Sequence, residues 1–165
     1  MTDNRCNTVL VAYSSLRKIL KDYDCAFKSR LQSSFMSIHL RCGVPTETLI
    51  AEMLEINRKK LLLLILKDTV ETALDSIPSP YKDILCLRFL KGMTFQEISE
   101  LQDISLRTAF RRFDKARDVF GAALAKLGLT EKLFAERYMS DPAIAAACSR
   151  LSDETYFTAK SVRDR

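Results

Sequence analysis

With 165 residues the chain has room for one well-filled core, or for a compact domain with an appendage. A 47% apolar content excludes a mainly disordered chain, and with only four glycines and four prolines the long apolar-periodic stretches between them read as helices. The net charge of +5 is concentrated: Arg107, Arg111, Arg112, Lys115 and Arg117 face a single acid, Asp114, between Ser105 and Arg117, while acids and bases nearly cancel elsewhere. A positive field confined to one segment suits docking to a polyanion better than general solubility.

Residues 7–40 read as one long helix. Val9, Tyr13, Leu16, Leu20, Tyr23 and Phe27 recur at alternating spacings of four and three, the seam of a coiled coil or helical hairpin, and Leu31, Phe35 and Ile38 continue it less strictly. Gly43 and Pro45 interrupt the pattern. A second helix is expected from Thr46 or Thr48 to about Leu74, with Leu49, Met53 and Ile56 as its first stripe. Leu61 to Leu66 is apolar on every side, which predicts cover from several directions. The short connection favours an antiparallel hairpin over 1–75, serving packing or homodimer formation.

The next helix is expected after Ser76-Ile-Pro-Ser-Pro80, with Ser79 as its cap and Pro80 at its first position. Ile84, Leu85, Leu87 and Phe89 give its apolar face, and Gly92 is placed to end it. Thr94 and Glu97 form a capping box for a short helix with Ile98 and Leu101 inward. After Gln102-Asp103-Ile104, Ser105 caps a helix whose inward stripe is Ala109, Phe113, Ala116, Phe120 and then Leu124 or Leu127, ending at Gly128. Thr130 to Met139 is expected to be helical, with Leu133, Phe134 and Tyr138 packing. Ser140-Asp-Pro142 then opens an alanine-rich segment, and the polar end from Ser152 to Arg165 is expected to fray.

Several function classes receive little support. The N-terminus lacks the basic-then-apolar order of a signal peptide, and the longest apolar run falls far short of the ~20 residues of a membrane span, so a cytoplasmic location is expected. Five scattered cysteines (Cys6, Cys25, Cys42, Cys86 and Cys148) lack disulfide or zinc-ligand spacing, and Cys25 and Cys86 read as packed thiols. His39 is the only histidine, and there is no phosphate-binding loop or metal-ligand constellation. No enzymatic activity, metal or cofactor is expected.

The stretch 94–117 has the parts of a helix-turn-helix: a short supporting helix, a tight turn, and a second helix with outward polar residues near its start. Leu106, Arg107, Thr108, Phe110 and Arg111 face outward on its first turns as candidate base readers. The arginine fork suits guanine edges and phosphates alike. Lys115 and Arg117 are farther along and suit phosphate contacts, and Arg112 lies between the two faces.

The same stretch resembles region 4 of the sigma-70 family of bacterial sigma factors. The resemblance rests on Leu74, Ile77 and Pro78, then Ile84 to Phe89, Gly92, Thr94, Glu97 to Leu101, Ile104, Ser105, Thr108 and Lys115 to Arg117, with no insertion. It implies a sigma region 4-like helical bundle over 76–128, and with the helices read above the expected fold is all-α, an N-terminal hairpin followed by that bundle and a short helical extension over 129–165. It also implies binding to double-stranded promoter or operator DNA, with Leu106, Arg107, Phe110 and Arg111 toward the major groove. Arg88, Lys91 and Thr94 would lie near the DNA backbone or RNA polymerase. Asp103 replaces the family's usual turn glycine, and Phe110 a usually polar reader. Residues 1–75 show no match to sigma region 2, the promoter-melting module, so a self-sufficient sigma factor is not expected. The expected role is a sequence-specific transcription regulator, acting as a sigma-like subunit or a dimer. The alternative is a module that binds RNA polymerase or another sigma factor without reading DNA.

Overall fold

The computed structural model describes residues 4–40 and 45–149, with side chains over 6–33 and 45–149. The expected break at Gly43, Cys42, the side chains of Phe35, Ile38 and His39, and the polar end from Ser152 lie outside the described residues. The described residues are helical, without strands. They form α1 (Asn4–Leu40), α2 (Thr46–Asp75), α3 (Ser79–Leu85), a π-helical turn (Cys86–Leu90), α4 (Phe95–Leu101), α5 (Leu106–Lys126), α6 (Glu131–Tyr138) and α7 over 142–149. No helix among them is long and apolar enough to cross a membrane.

The chain divides into two compact units, one of residues 1–15 and 68–165 and the other of 16–67. In the first, α5 is the central helix, with α3 and α4 both packed against it. Its buried stripe is Ala109, Phe113, Ala116, Phe120 and Leu124, so the inward choice is Leu124, and Leu127 is exposed. Cys6 donates from Sγ to the Arg117 carbonyl at 3.4 Å, and Cys148 to that of Thr8 at 3.8 Å, which tie the start of α1 to α5 and α7. Burial pushes the Cys148 thiol pKa up. Tyr13 on α1 donates to Glu71 on α2 at 3.1 Å.

Helix ends follow the local chemistry. Thr94 accepts from the Glu97 amide while the Glu97 carboxylate accepts from the Thr94 amide, completing the capping box. Ser105 accepts from the Thr108 amide, Thr130 from that of Leu133, and Asp141 from that of Ala143. Gly92 and Gly128 adopt the left-handed backbone, with φ of 67° and 80°, that ends a helix most readily without a Cβ. Four expectations change. α3 is capped by Pro78 and Ser79 is its first residue. Leu101 points to solvent, as does Cys25. α3 also runs into a π-helical turn, in which Lys91 N–H reaches the Cys86 carbonyl at 3.1 Å.

In the second unit, Lys60 pairs with Asp24 at 2.5 Å and Arg30 with Glu52 at 3.2 Å, so the later residue of α1 meets the earlier one of α2. The expected cover around Leu61 to Leu66 is partial. Leu63 and Leu66 are buried, but Leu61, Leu64 and Ile65 are exposed, and Ile50 and Leu54 one to two turns earlier are exposed as well. One side of the helix satisfies the packing, which leaves the other side apolar and open.

Candidate nucleic-acid interface

The turn between α4 and α5 is held by backbone bonds. Gln102 N–H donates to Ile98 O at 3.0 Å, Asp103 N–H to Glu100 O at 3.3 Å and Ile104 N–H to Ser99 O at 3.0 Å. Asp103 takes a left-handed conformation, φ 49°, which aspartate tolerates better than most residues. The turn that glycine usually makes therefore forms without it. Arg112 reaches back from α5 to Gln102 at 2.9 Å and fixes the helix against the turn.

Beneath the turn lies an aromatic cluster. The Phe95 ring centroid is 4.3 Å from that of Phe110 and 5.0 Å from that of Phe113, and Phe89 stacks on Phe113 at 6.0 Å. Such pairs contribute about 0.5–1.5 kcal/mol beyond their area. Two arginines lie over rings of the cluster. Arg88 lies over Phe95 at 5.1 Å and donates to the Met93 carbonyl at 3.0 Å. Arg117 lies over Phe113 at 5.0 Å and pairs with Asp114 at 2.6 Å.

These contacts sort the candidate residues. Leu106, Arg107, Thr108 and Arg111 are exposed on the first two turns of α5, as is Lys115 one turn on. Phe110 is half-buried against Phe95, so its ring spends one face on the fold. Arg117 has a side chain only 12% exposed, which favours a packing role over the phosphate contact expected of it. Arg88 is engaged in the same way, and Thr94 is occupied by its capping box. Lys91 is exposed beside Gly92. The Thr94 amide and hydroxyl hold the Glu97 carboxyl below its usual pKa range.

Thr108, Arg111, Arg112 and Lys115 line one open depression of about 230 Å³ between α5 and α3, with Tyr81 as its far wall. Lys115 Nζ lies 5.8 Å from the centre of the Tyr81 ring. Three cations and no carboxylate line this surface, and a phosphate oxygen is the chemistry it suits. Asp114 and Asp118 follow Arg107 and Arg111 on the same exposed stripe, so the face turns acidic two turns into the helix. Tyr81 and Gln102 are the contributors that sequence reading missed. Gln102 stands in the turn with no signal beyond polarity, and Tyr81 comes from a helix distant in sequence. Among the described residues no cluster of metal-ligating side chains occurs.

Residues 67–118, from the last turns of α2 to the middle of α5, match the family model described as Sigma-70, region 4. The matched segment is about a third of the chain, and it contains the helix-turn-helix and the depression together. The chain therefore carries a sigma-70 region 4-like helix-turn-helix domain. No curated protein and no solved structure matches the chain.

Proposed function

We propose that this sigma-70 region 4-like chain is a sequence-specific DNA-binding transcription regulator that docks α5 in the major groove of promoter or operator DNA. The observation that carries the reading is the convergence of Thr108, Arg111, Arg112 and Lys115 on one acid-free depression beside the exposed Arg107. Arg107 and Arg111, one helical turn apart, are the base readers, with Leu106 and Thr108 at the groove edge. Arg112 and Lys115 hold a phosphate against the Tyr81 wall and set the register of the helix. Lys91 supplies a further backbone contact. Phe110 supports Phe95 and offers only its free edge to a thymine methyl group. Residues 76–128 act as the DNA-binding domain, with 1–75 as an N-terminal helical arm and 129–165 as a C-terminal extension.

Selection of bound duplexes from a random pool, followed by titration of the recovered sequence at several salt concentrations, tests this reading. An enriched motif is expected, with an affinity that falls steeply as salt rises. Recovery of no motif and no duplex binding at low salt would sink it. Binding to RNA polymerase under those conditions would instead establish a protein-interaction module.

A further inference from the structure

The near-cancellation of charge over 1–75 conceals a division that the fold brings out. The unit of residues 16–67 holds ten basic and five acidic residues, a balance of +5, and the rest of the chain holds sixteen of each. The acids that even out the sequence, Asp68, Glu71 and Asp75, belong to the other unit. Part of the excess is engaged within 16–67: Lys60 pairs with Asp24, Arg30 with Glu52, and Arg58 and Lys59 with Glu55. Arg17, Lys18, Lys21 and Lys28 on α1 are exposed and enter no ion pair among the described residues. At about 100° per residue, Arg17, Lys21 and Lys28 fall within roughly 40° of one another around the helix, with Lys18 beside them, and they span about 16 Å of its length. Asp24, the acid on the same line, is the one that Lys60 neutralises.

We propose that this stripe of α1 is a second contact with duplex DNA, made to the phosphate backbone and independent of sequence. The inference rests on the DNA-binding reading of the chain and deepens it, since the arm adds a general hold to the readout by α5. Charge complementarity selects the partner. A duplex carries one negative charge per about 1.7 Å of its axis, so a line of cations about 16 Å long meets several phosphates at once. Each contact releases condensed counterions, a gain that cations already paired within the protein would forgo. Lysine and arginine on long flexible stems, outside any fixed hydrogen-bond geometry, suit positioning along a backbone better than reading base edges. Anionic lipid headgroups offer the same charge, but a helix that lies on a bilayer inserts large apolar side chains, and over 16–33 α1 exposes none. The stripe therefore favours the nucleic acid.

The test compares the full chain with two triple variants that lose equal charge. One carries Arg17→Gln, Lys21→Gln and Lys28→Gln. The other carries Lys126→Gln, Lys132→Gln and Arg137→Gln, which remove three exposed cations from α5 and α6 and control for net charge. Glutamine has nearly the helix propensity of lysine and arginine, and circular dichroism checks that helix content is kept. Fluorescence anisotropy follows binding to an unselected duplex of three helical turns, about 30 base pairs, over a salt series. The stripe variant is expected to lose about 0.9 of the log–log salt slope per contact, roughly 2–3 in all, and at least ~10-fold in affinity at low salt. The control is expected to keep the wild-type slope. An unchanged slope in the stripe variant, or equal losses in both variants, overturns the proposal. Unchanged duplex binding in a stripe variant that no longer binds vesicles of anionic phospholipid also overturns it, in favour of a membrane surface. A chain with Arg107→Ala and Arg111→Ala, run in parallel, separates the stripe from the reading of α5. Where only α5 fails as a reader, that chain binds every duplex as the wild type does while the stripe variant still loses slope, which upholds the proposal. Where only the stripe fails, that chain loses its preference for the selected sequence while the stripe variant matches the wild type, which overturns it.

Discussion

Arg112 donates to Gln102 at 2.9 Å, so a cation in the candidate phosphate-binding depression is held by the turn of the helix-turn-helix itself. The contact joins α5 to the residue that ends α4 and sets the direction in which the guanidinium faces. A half-buried hydrogen bond to a charged group contributes about 1–2 kcal/mol. Gln102→Ala is expected to lower folding stability by about 1 kcal/mol in urea titration while Arg112 keeps its charge in the depression. An unchanged midpoint would assign the bond no role in holding the turn.

Asp103 bears the positive φ that the turn requires. Substitution by glycine removes the steric cost of a Cβ in this conformation, and a β-branched residue increases it. The expected order of stability is Gly at least equal to Asp, then Ala, then Val, with Asp103→Val losing more than about 1 kcal/mol. Equal denaturation midpoints for the valine and wild-type chains would show that the turn relaxes to another conformation.

Arg107 and Arg111 differ from Lys115 in what their loss should do. Removing a base-reading arginine costs about 1–3 kcal/mol on the selected sequence and relaxes preference at one base pair. Removing a phosphate contact weakens all sequences alike and reduces the salt slope by roughly 0.9. Arg107→Ala and Arg111→Ala are expected to behave in the first way and Lys115→Ala in the second. Arg117→Ala is expected to lower stability and leave the salt slope nearly unchanged, because its guanidinium is already spent on Phe113 and Asp114. Fluorescence anisotropy at a series of salt concentrations separates the two patterns. A salt slope that falls as much for Arg117→Ala as for Lys115→Ala would return Arg117 to the binding surface.

The helix-turn-helix was legible in the sequence because its determinants are local. The bonds from Ser105 to the Thr108 amide and from Thr94 to the Glu97 amide each span three residues, so spacing alone identifies them. The π-helical turn after Leu85 has no such signature, because it is a shift in backbone bonding within a continuous apolar run. The wall of the depression was hidden for a different reason. Tyr81 meets Lys115 only through the packing of α3 on α5. Periodicity also treats every apolar residue as buried. Leu101, Leu61 and Leu64 show the limit of that rule, since each keeps the apolar spacing of a core position and is exposed. Arg117 is the converse, a cation that the helix turns inward over an aromatic ring.

Two titrations give the fold opposite sensitivities at the ends of the pH scale. Glu97 is held below the usual carboxylate range by the Thr94 amide and hydroxyl, so its stabilising contribution is present above the ordinary carboxyl pKa and is lost as pH falls through the lowered folded value. Glu97→Gln is expected to flatten the acid side of the stability profile. Tyr13 behaves in the reverse sense. Burial and its hydrogen bond to Glu71 raise its pKa from 10.0 to about 12. A raised folded value means that the contribution is complete below pH 10 and is lost as pH rises from there toward about 12. Tyr13→Phe keeps the ring in place but removes the ionisable hydroxyl and its 3.1 Å bond. It is expected to cost about 1 kcal/mol or less at neutral pH. Above pH 10 the deficit should shrink, because only the wild-type chain loses stability through this group. Urea midpoints at pH 7, 10 and 11 for the two chains measure it, and a deficit that grows with pH would show that the hydroxyl is not the titrating partner of Glu71.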